Sequence, residues 1–325
     1  MAEWLFEEGI GETRAILVED GAIVEATLEL PGSMRTGAVL DGRLARILVS
    51  GRRGLVLTEE GEAMLEPLPP ALTEGQKLRV EIVREAIPEA GRPKLPKCRA
   101  TEEELRRGPT LVDRIGDAIR SAPPGPDRFE AAGWSELLEE AAGGEIVFAG
   151  GALRMSLTPA MTLFDVDGAL SPAELAVAGA AAAARAIRRM GITGSIGIDL
   201  PTVPGKAERQ AAAEAIDAIL PHPFERTGVN GFGFVQIVRR RTRPSLPELL
   251  QGDPVGAAAR ALLRRAERAG GAGTRTLTAA PPVVARIEAE AGWAEALSRR
   301  IGAPVALRAE PGLAISAGHV QSLAP

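Results

Sequence analysis

The chain of 325 residues has one cysteine, no tyrosine and only 3% aromatic residues. A lone thiol, Cys98, excludes an internal disulfide and any zinc site built from several cysteines of one chain. It lies in a Lys/Arg/Pro-rich stretch and reads as an incidental loop thiol. No apolar run reaches the roughly 18 uncharged residues that a membrane helix needs. The Ala-rich stretch around 173–187 comes nearest, but Arg185, Arg188 and Arg189 and the flanking turns break it. The opening residues do not read as a signal peptide, so the expectation is a cytoplasmic protein with no membrane contact. An excess of positive charge is absent too. With 38 Lys+Arg against 43 Asp+Glu the net charge is −5, so the surface as a whole is not a nucleic-acid footprint. A Gly-rich phosphate loop is also missing, which removes the main support for a nucleotide enzyme or phosphatase.

The remainder is ordinary globular material, 45% hydrophobic and 25% charged, long enough for two or three domains. Residues 1–34 predict a β-hairpin, with strands at 13–18 and 22–30 around the turn Glu19-Asp20-Gly21. Residues 35–101 predict a small OB-like barrel of five strands at 36–41, 43–49, 54–58, 61–65 and 78–87. Barrels of this kind that grip single strands usually stack bases on aromatics. This one has none, so a spacer and an RNA platform are equally good readings. Residues 102–150 predict a reduced helical connector, with helices at 102–107, 110–121 and 129–142 and a strand at 144–148. Residues 251–325 predict a linker helix at 254–269 and a small β-α-β segment with elements at 274–278, 281–301 and 305–308. The expected fold class is thus α/β (multidomain α+β).

The chemistry concentrates in residues 151–250. An apolar run ends in Asp165-Val166-Asp167-Gly168, a helix follows to about Met190, and a second run ends in Ile198-Asp199. Ser171-Pro172-Ala173-Glu174 is a capping-box pattern that starts the helix, and Gly191 suits its end. Two strands joined by one helix form a βαβ unit, whose strands run parallel with a right-handed crossover. A second helix from Pro204-Gly205 to about Leu220 and a strand at 232–238 extend the expectation to βαβαβ. Asp165, Asp167 and Asp199 then share the carboxyl-terminal edge of the sheet, where open α/β sheets bind ligands. Oxygen donors so placed suit Mg²⁺, or Mn²⁺. An Asp after a strand also serves as a turn former or helix cap, and that reading of each stands beside the metal-site reading. Arg239-Arg240-Arg241-Thr242-Arg243 follows the third strand on an otherwise acidic chain, which makes Arg239, Arg241 and Arg243 the best phosphate-contact candidates. The alternative is a solvated charged face.

The central segment resembles the catalytic core of the bacterial ribonuclease E/G family. The stretches that carry the resemblance are Thr158-Pro159-Ala160-Met161-Thr162, Asp165-Val166-Asp167, Ile198-Asp199, Gly231-Phe232-Gly233 and Arg241-Thr242-Arg243-Pro244-Ser245-Leu246, in the family's order and spacing. The barrel resembles the family's S1 domain, and the region of Val305–Arg308 its small terminal domain. The resemblance implies a Mg²⁺-dependent endoribonuclease acting on single-stranded RNA. Asp165 and Asp199 would be the metal ligands, Asp167 would stand where the family has Asn, and Lys94 would be an RNA-contacting lysine of the barrel. The chain departs from the family in lacking the 5′-monophosphate sensor between barrel and core, the two-cysteine zinc link and the S1 aromatics, whose place is taken by Val56 and other aliphatics. The expectations are therefore cleavage without 5′-end sensing, no zinc, and at most a homodimer rather than a zinc-linked tetramer. A non-catalytic RNA-binding or assembly protein on the same fold is the alternative; it has no use for three carboxylates beside a phosphate.

Overall fold

The computed structural model describes residues 1–89 and 93–323. Strands β1 (Glu3–Glu8), β2 (Thr13–Glu19) and β3 (Ala22–Glu29) form an antiparallel meander. The expected turn is present: Asp20 and Gly21 have φ of 51° and 81°, the left-handed pair that a two-residue hairpin requires. The hairpin is not free-standing, because β1, unforeseen from the sequence, pairs along β2.

The barrel closes from five strands, β4 (Val39–Val49), β5 (Arg53–Thr58), β6 (Gly61–Leu65), β7 (Lys77–Arg84) and β8 (Lys97–Thr101), in the order β4-β5-β6-β8-β7. The number matches expectation and two assignments do not. Asp41-Gly42 is no turn; it lies within one long strand, β4, which reaches both neighbours and bends at two register shifts against β5. The fifth strand is the Lys/Pro-rich stretch expected as a loop. It carries Cys98 into the barrel core beside Leu65 and Ile82, fully buried, and burial pushes the thiol up to about 12. Residues 91 and 92 of the expected basic loop 91–97 lie outside the described residues.

The connector is less helical than expected. Residues 102–107 are extended: Arg106 exchanges backbone hydrogen bonds with Val39, and Pro109 follows closely. A Thr110–Asp113 capping box starts α1 (Leu111–Ile115), which Gly116 ends at φ 68°. The chain then extends as β9 (Ala118–Arg120), parallel to β1, and completes a four-stranded sheet of order β3-β2-β1-β9. The barrel is therefore inserted between two strands of this sheet. Helices α2 (Arg128–Ala131) and α3 (Trp134–Gly143) follow, held together by Phe129 and Trp134 in edge-to-face contact at 5.4 Å.

The central sheet has six strands. β10 (Glu145–Phe148), β11 (Gly151–Leu157) and β12 (Thr162–Gly168) are antiparallel. The capped helix α4 (Pro172–Arg189) leads to β13 (Gly194–Asp199), parallel to β12 as expected. Beyond this the βαβαβ expectation needs correction. Helix α5 (Lys206–Asp217) leads to a two-residue strand, β14 (Glu225–Arg226), which a hairpin returns as β15 (Phe234–Arg239). β15 is antiparallel to both β13 and β14 and sits between them, so the sheet order is β10-β11-β12-β13-β15-β14. The second crossover ends in β14, too short to read from sequence, and the strong apolar strand is the one that doubles back.

α4 lies between the two sheets, against β3 on one side and β11 and β12 on the other. Its buried positions run from Leu175 and Ala176 through Ala186 and Ile187 and surround most of its circumference. Alanine makes it narrow enough for both sheets to close on it, so Ile16 and Leu28 join Phe164, Val166 and Ile198 in one core.

The last part begins with α6 (Leu246–Gly252), capped by a Ser245–Glu248 box, and α7 (Pro254–Arg268). Arg260, Arg264 and Arg268 recur every fourth residue, on one face of α7, and meet Glu7, Glu12 and Asp127. β16 (Thr274–Ala279) is followed by α8 (Pro281–Ala289) and α9 (Trp293–Ile301), separated at Gly292 where one helix was expected. β17 (Val305–Ala309) pairs parallel with β16, and the unforeseen β18 (His319–Leu323) pairs antiparallel on its other side. The class is mixed α and β with a closed barrel near the N-terminus. No described helix is long and apolar enough to cross a membrane.

Candidate functional site

Alternation sets the two faces of the central sheet. Phe164, Val166, Ile196, Ile198, Val235 and Ile237 point to the helices and are buried. Their neighbours along each strand therefore point to the opposite face, which the helices leave open. Asp165, Asp167 and Asp199 are on that face and exposed.

Asp165 and Asp199 are register partners across the parallel β12–β13 pair. Adjacent strands lie about 4.8 Å apart, so the two carboxylates rise side by side from neighbouring backbones. Among the described residues neither makes an ion pair or side-chain hydrogen bond. Asp167, two positions further along the same face, differs: Arg154 Nη1 is 3.7 Å from its Oδ2. Arg154 sits on β11 as the register partner of Asp165 and also lies 3.7 Å from Glu145. Sequence reading missed this cation; its only signal was the alternation of 151–157.

Two unpartnered carboxylates fit a hard divalent cation. Mg²⁺ keeps several waters and is usually held by one or two protein carboxylates rather than by a full protein cage. No group of three or more His, Cys, Asp or Glu side chains is assembled for a metal among the described residues. Asp165 and Asp199 would hold the ion, with Asp167 turned toward Arg154.

The floor beside the pair is apolar. Phe234 is the register partner of Asp199, and its ring lies over Gly197 next to Leu163. A Cβ at Gly197 would come within 2.6 Å of that ring, so glycine is required for the ring to lie there. Phe232 follows at the same end of the sheet and is 82% exposed. The Gly231-Phe232-Gly233 pattern was legible, but its place beside Asp199 was not.

The basic residues are arranged differently. Arg239 Nη1 donates to the Ile192 carbonyl at 2.8 Å, Arg241 pairs with Glu248, and Lys94 pairs with Glu89. Arg241 also lies 3.7 Å from Glu89. Burial lowers the pKa of both Arg239 and Arg243, the latter helped by Arg114. Thr242 between them accepts hydrogen bonds from Glu85 N and Thr36 Oγ1, which joins this segment to the barrel. Arg239, Arg241 and Lys94 are thus engaged within the protein, Arg243 is partly buried near Glu85 with no hydrogen-bond partner for its Nε, and Arg240 is the exposed member of the run.

A cavity of about 470 Å³ lies at the opposite end of the strands from the aspartates, where Thr162, Ser195, Arg241 and Glu248 meet Pro88 and Glu89 of the barrel. The aspartates stand instead on an open face, which admits a polymer. No family model and no curated protein matches the chain.

Proposed function

We propose that the chain is a metal-dependent endoribonuclease that cleaves single-stranded RNA at the open face of the central sheet. The observation that carries this reading is the pairing of Asp165 with Asp199: two exposed carboxylates without partners among the described residues, in register on adjacent parallel strands. Their place within the stretches that resemble the ribonuclease E/G core adds support.

Asp165 and Asp199 would hold Mg²⁺, or Mn²⁺, and the ion would there supply Lewis-acid polarisation of a phosphodiester and a more acidic bound water. The chain's own residues do the rest. Asp165 and Asp199 fix where the phosphate binds. Arg154, beside them, offers a charge-assisted donor to a non-bridging oxygen. Asp167 lies 3.7 Å from the Arg154 guanidinium on the same face and favours its charge there. Hydrolysis with a 5′-phosphate left on the downstream product is the expected outcome, without dependence on the state of the RNA 5′ end.

The test is an internally labelled single-stranded RNA incubated with protein, with and without Mg²⁺, beside the variant Asp165→Asn. Cleavage that needs both the ion and the carboxylate supports the reading. RNA binding with no metal-dependent cleavage would instead assign the fold to a non-catalytic binder.

A further inference from the structure

We infer that the turn 230–234 is a base-stacking platform, in which Phe232 and Phe234 hold nucleobases of a single strand next to the phosphate bound at Asp165 and Asp199. This rests on the RNA reading of that face.

Of seven Phe and three Trp, Phe232 alone is exposed. A phenyl ring 82% open to water gives up the burial that normally places it inside. It is also not on a loose tip. Asn230 Oδ1 accepts from the backbone N–H of Phe232 at 2.9 Å and of Phe234 at 3.1 Å. Asn230 N donates to Phe234 O at 3.0 Å, and Gly233 N to Asn230 O at 3.1 Å. Thr202 Oγ1 donates to Phe232 O at 3.1 Å and Leu200 N to Gly233 O at 3.2 Å. Gly233 has φ 91°, and a Cβ there would lie 2.1 Å from Leu200 O, so the turn closes only with glycine.

Leu200 and Thr202, which anchor the turn, come directly after Asp199. The backbone that carries the ring is therefore fixed relative to Asp199. Phe234, lying over Gly197, extends an apolar surface to the register position of Asp199 itself. Single-strand binders combine backbone electrostatics with aromatic faces on which bases stack, largely without regard to sequence. The barrel from 35 to 101 contains no aromatic residue at all. The stacking faces of this chain are on the sheet, beside the carboxylates.

The test uses the full chain with Ca²⁺ in place of Mg²⁺, so that the two carboxylates are neutralised by an oxygen-binding cation, and a single-stranded RNA oligonucleotide carrying 2-aminopurine, whose emission falls on stacking. Wild type should bind and quench the probe, Phe232→Ala should weaken binding about tenfold and restore emission, and Phe232→Trp should keep both. An abasic probe should bind wild type and Phe232→Ala alike. No quenching by wild type, or equal quenching by wild type and Phe232→Ala, overturns the platform. A parallel cleavage assay with Mg²⁺ separates the two ideas. Cleavage with unchanged quenching in Phe232→Ala leaves the nuclease reading standing and removes the platform. Phe232-dependent quenching without cleavage does the reverse.

Discussion

Glu7 and Arg264 are 257 positions apart in sequence, and Arg264 Nε donates to Glu7 Oε2 at 3.1 Å with side-chain exposures of 5% and 4%. The same guanidinium reaches Asp127 Oδ1 at 2.5 Å and lies over the Phe129 ring. Arg264→Ala leaves the sealed Glu7 carboxylate with Arg268 as its remaining partner and removes a charged hydrogen bond, so it should cost about 2–3 kcal/mol. The exposed Arg154→Ala should change stability by less than about 0.5 kcal/mol. Urea denaturation midpoints of the two variants decide this; equal midpoints would show that the pair is solvated in solution.

Asp165 and Asp199 predict a thermal signature that does not depend on turnover. A ligand that binds only the folded chain stabilises it by about 2.7 kcal/mol at a hundred times its Kd. Mg²⁺ and Mn²⁺ should raise the melting temperature of wild type in a concentration-dependent way and leave the Asp165→Asn, Asp199→Asn double variant unmoved. A metal-dependent rise retained in the double variant would place the ion elsewhere.

Cys98 predicts an alkaline limit. Its thiol is pushed from 9.0 to about 12 by burial in the barrel. The unfolded chain ionises first, so this contribution to stability is whole below about pH 9 and is lost as pH rises toward 12. Cys98→Ala should flatten the pH dependence of stability in that window. Native protein at pH 8 should also leave a thiol reagent unreacted until denaturant is added; rapid native reaction would contradict the buried placement.

Arg240 and Arg241 are adjacent in sequence and opposite in their surroundings. Arg241 is committed to Glu248, while Arg240 is exposed. Arg240→Ala should lower the salt slope of RNA binding by about 0.7, the value for one phosphate contact on a single strand. Arg241→Ala should leave the slope unchanged and reduce stability. The reverse pattern in binding measured across salt concentrations would return Arg241 to the RNA.

The parts legible in the sequence were those governed by local rules. The Asp20-Gly21 turn, the Ser171–Glu174 cap and the strands that carry Asp165 and Asp199 all follow from neighbours in the chain, although β12 continues past Asp165 to Gly168, and the parallel crossover then brings the two aspartates into register. What could not be read depended on distant partners. β9 is three residues long and is placed by its pairing with β1, more than a hundred positions earlier in the chain. Gly42 looks like a turn and is a strand position flanked by two neighbours. Arg239 and Arg241 look like solvated charges because Ile192 is distant in sequence and Glu248 meets Arg241 only once the chain turns into α6. The βαβαβ expectation failed at β14, two residues that carry the direction of the crossover.

The insertion of the barrel between β3 and β9 also sets an order of events during synthesis. β1 leaves the ribosome first, yet its parallel neighbour at 118–120 follows only after the whole barrel, and the arginines that meet Glu7 follow only with α7. Chains are made at about 5–20 residues per second, and domains generally fold as units in the order they emerge. The barrel, closed within 39–101, can complete itself while the strand before it still has one open edge and an unpaired acidic residue. Of the elements described, β1 is among the last to find all its partners.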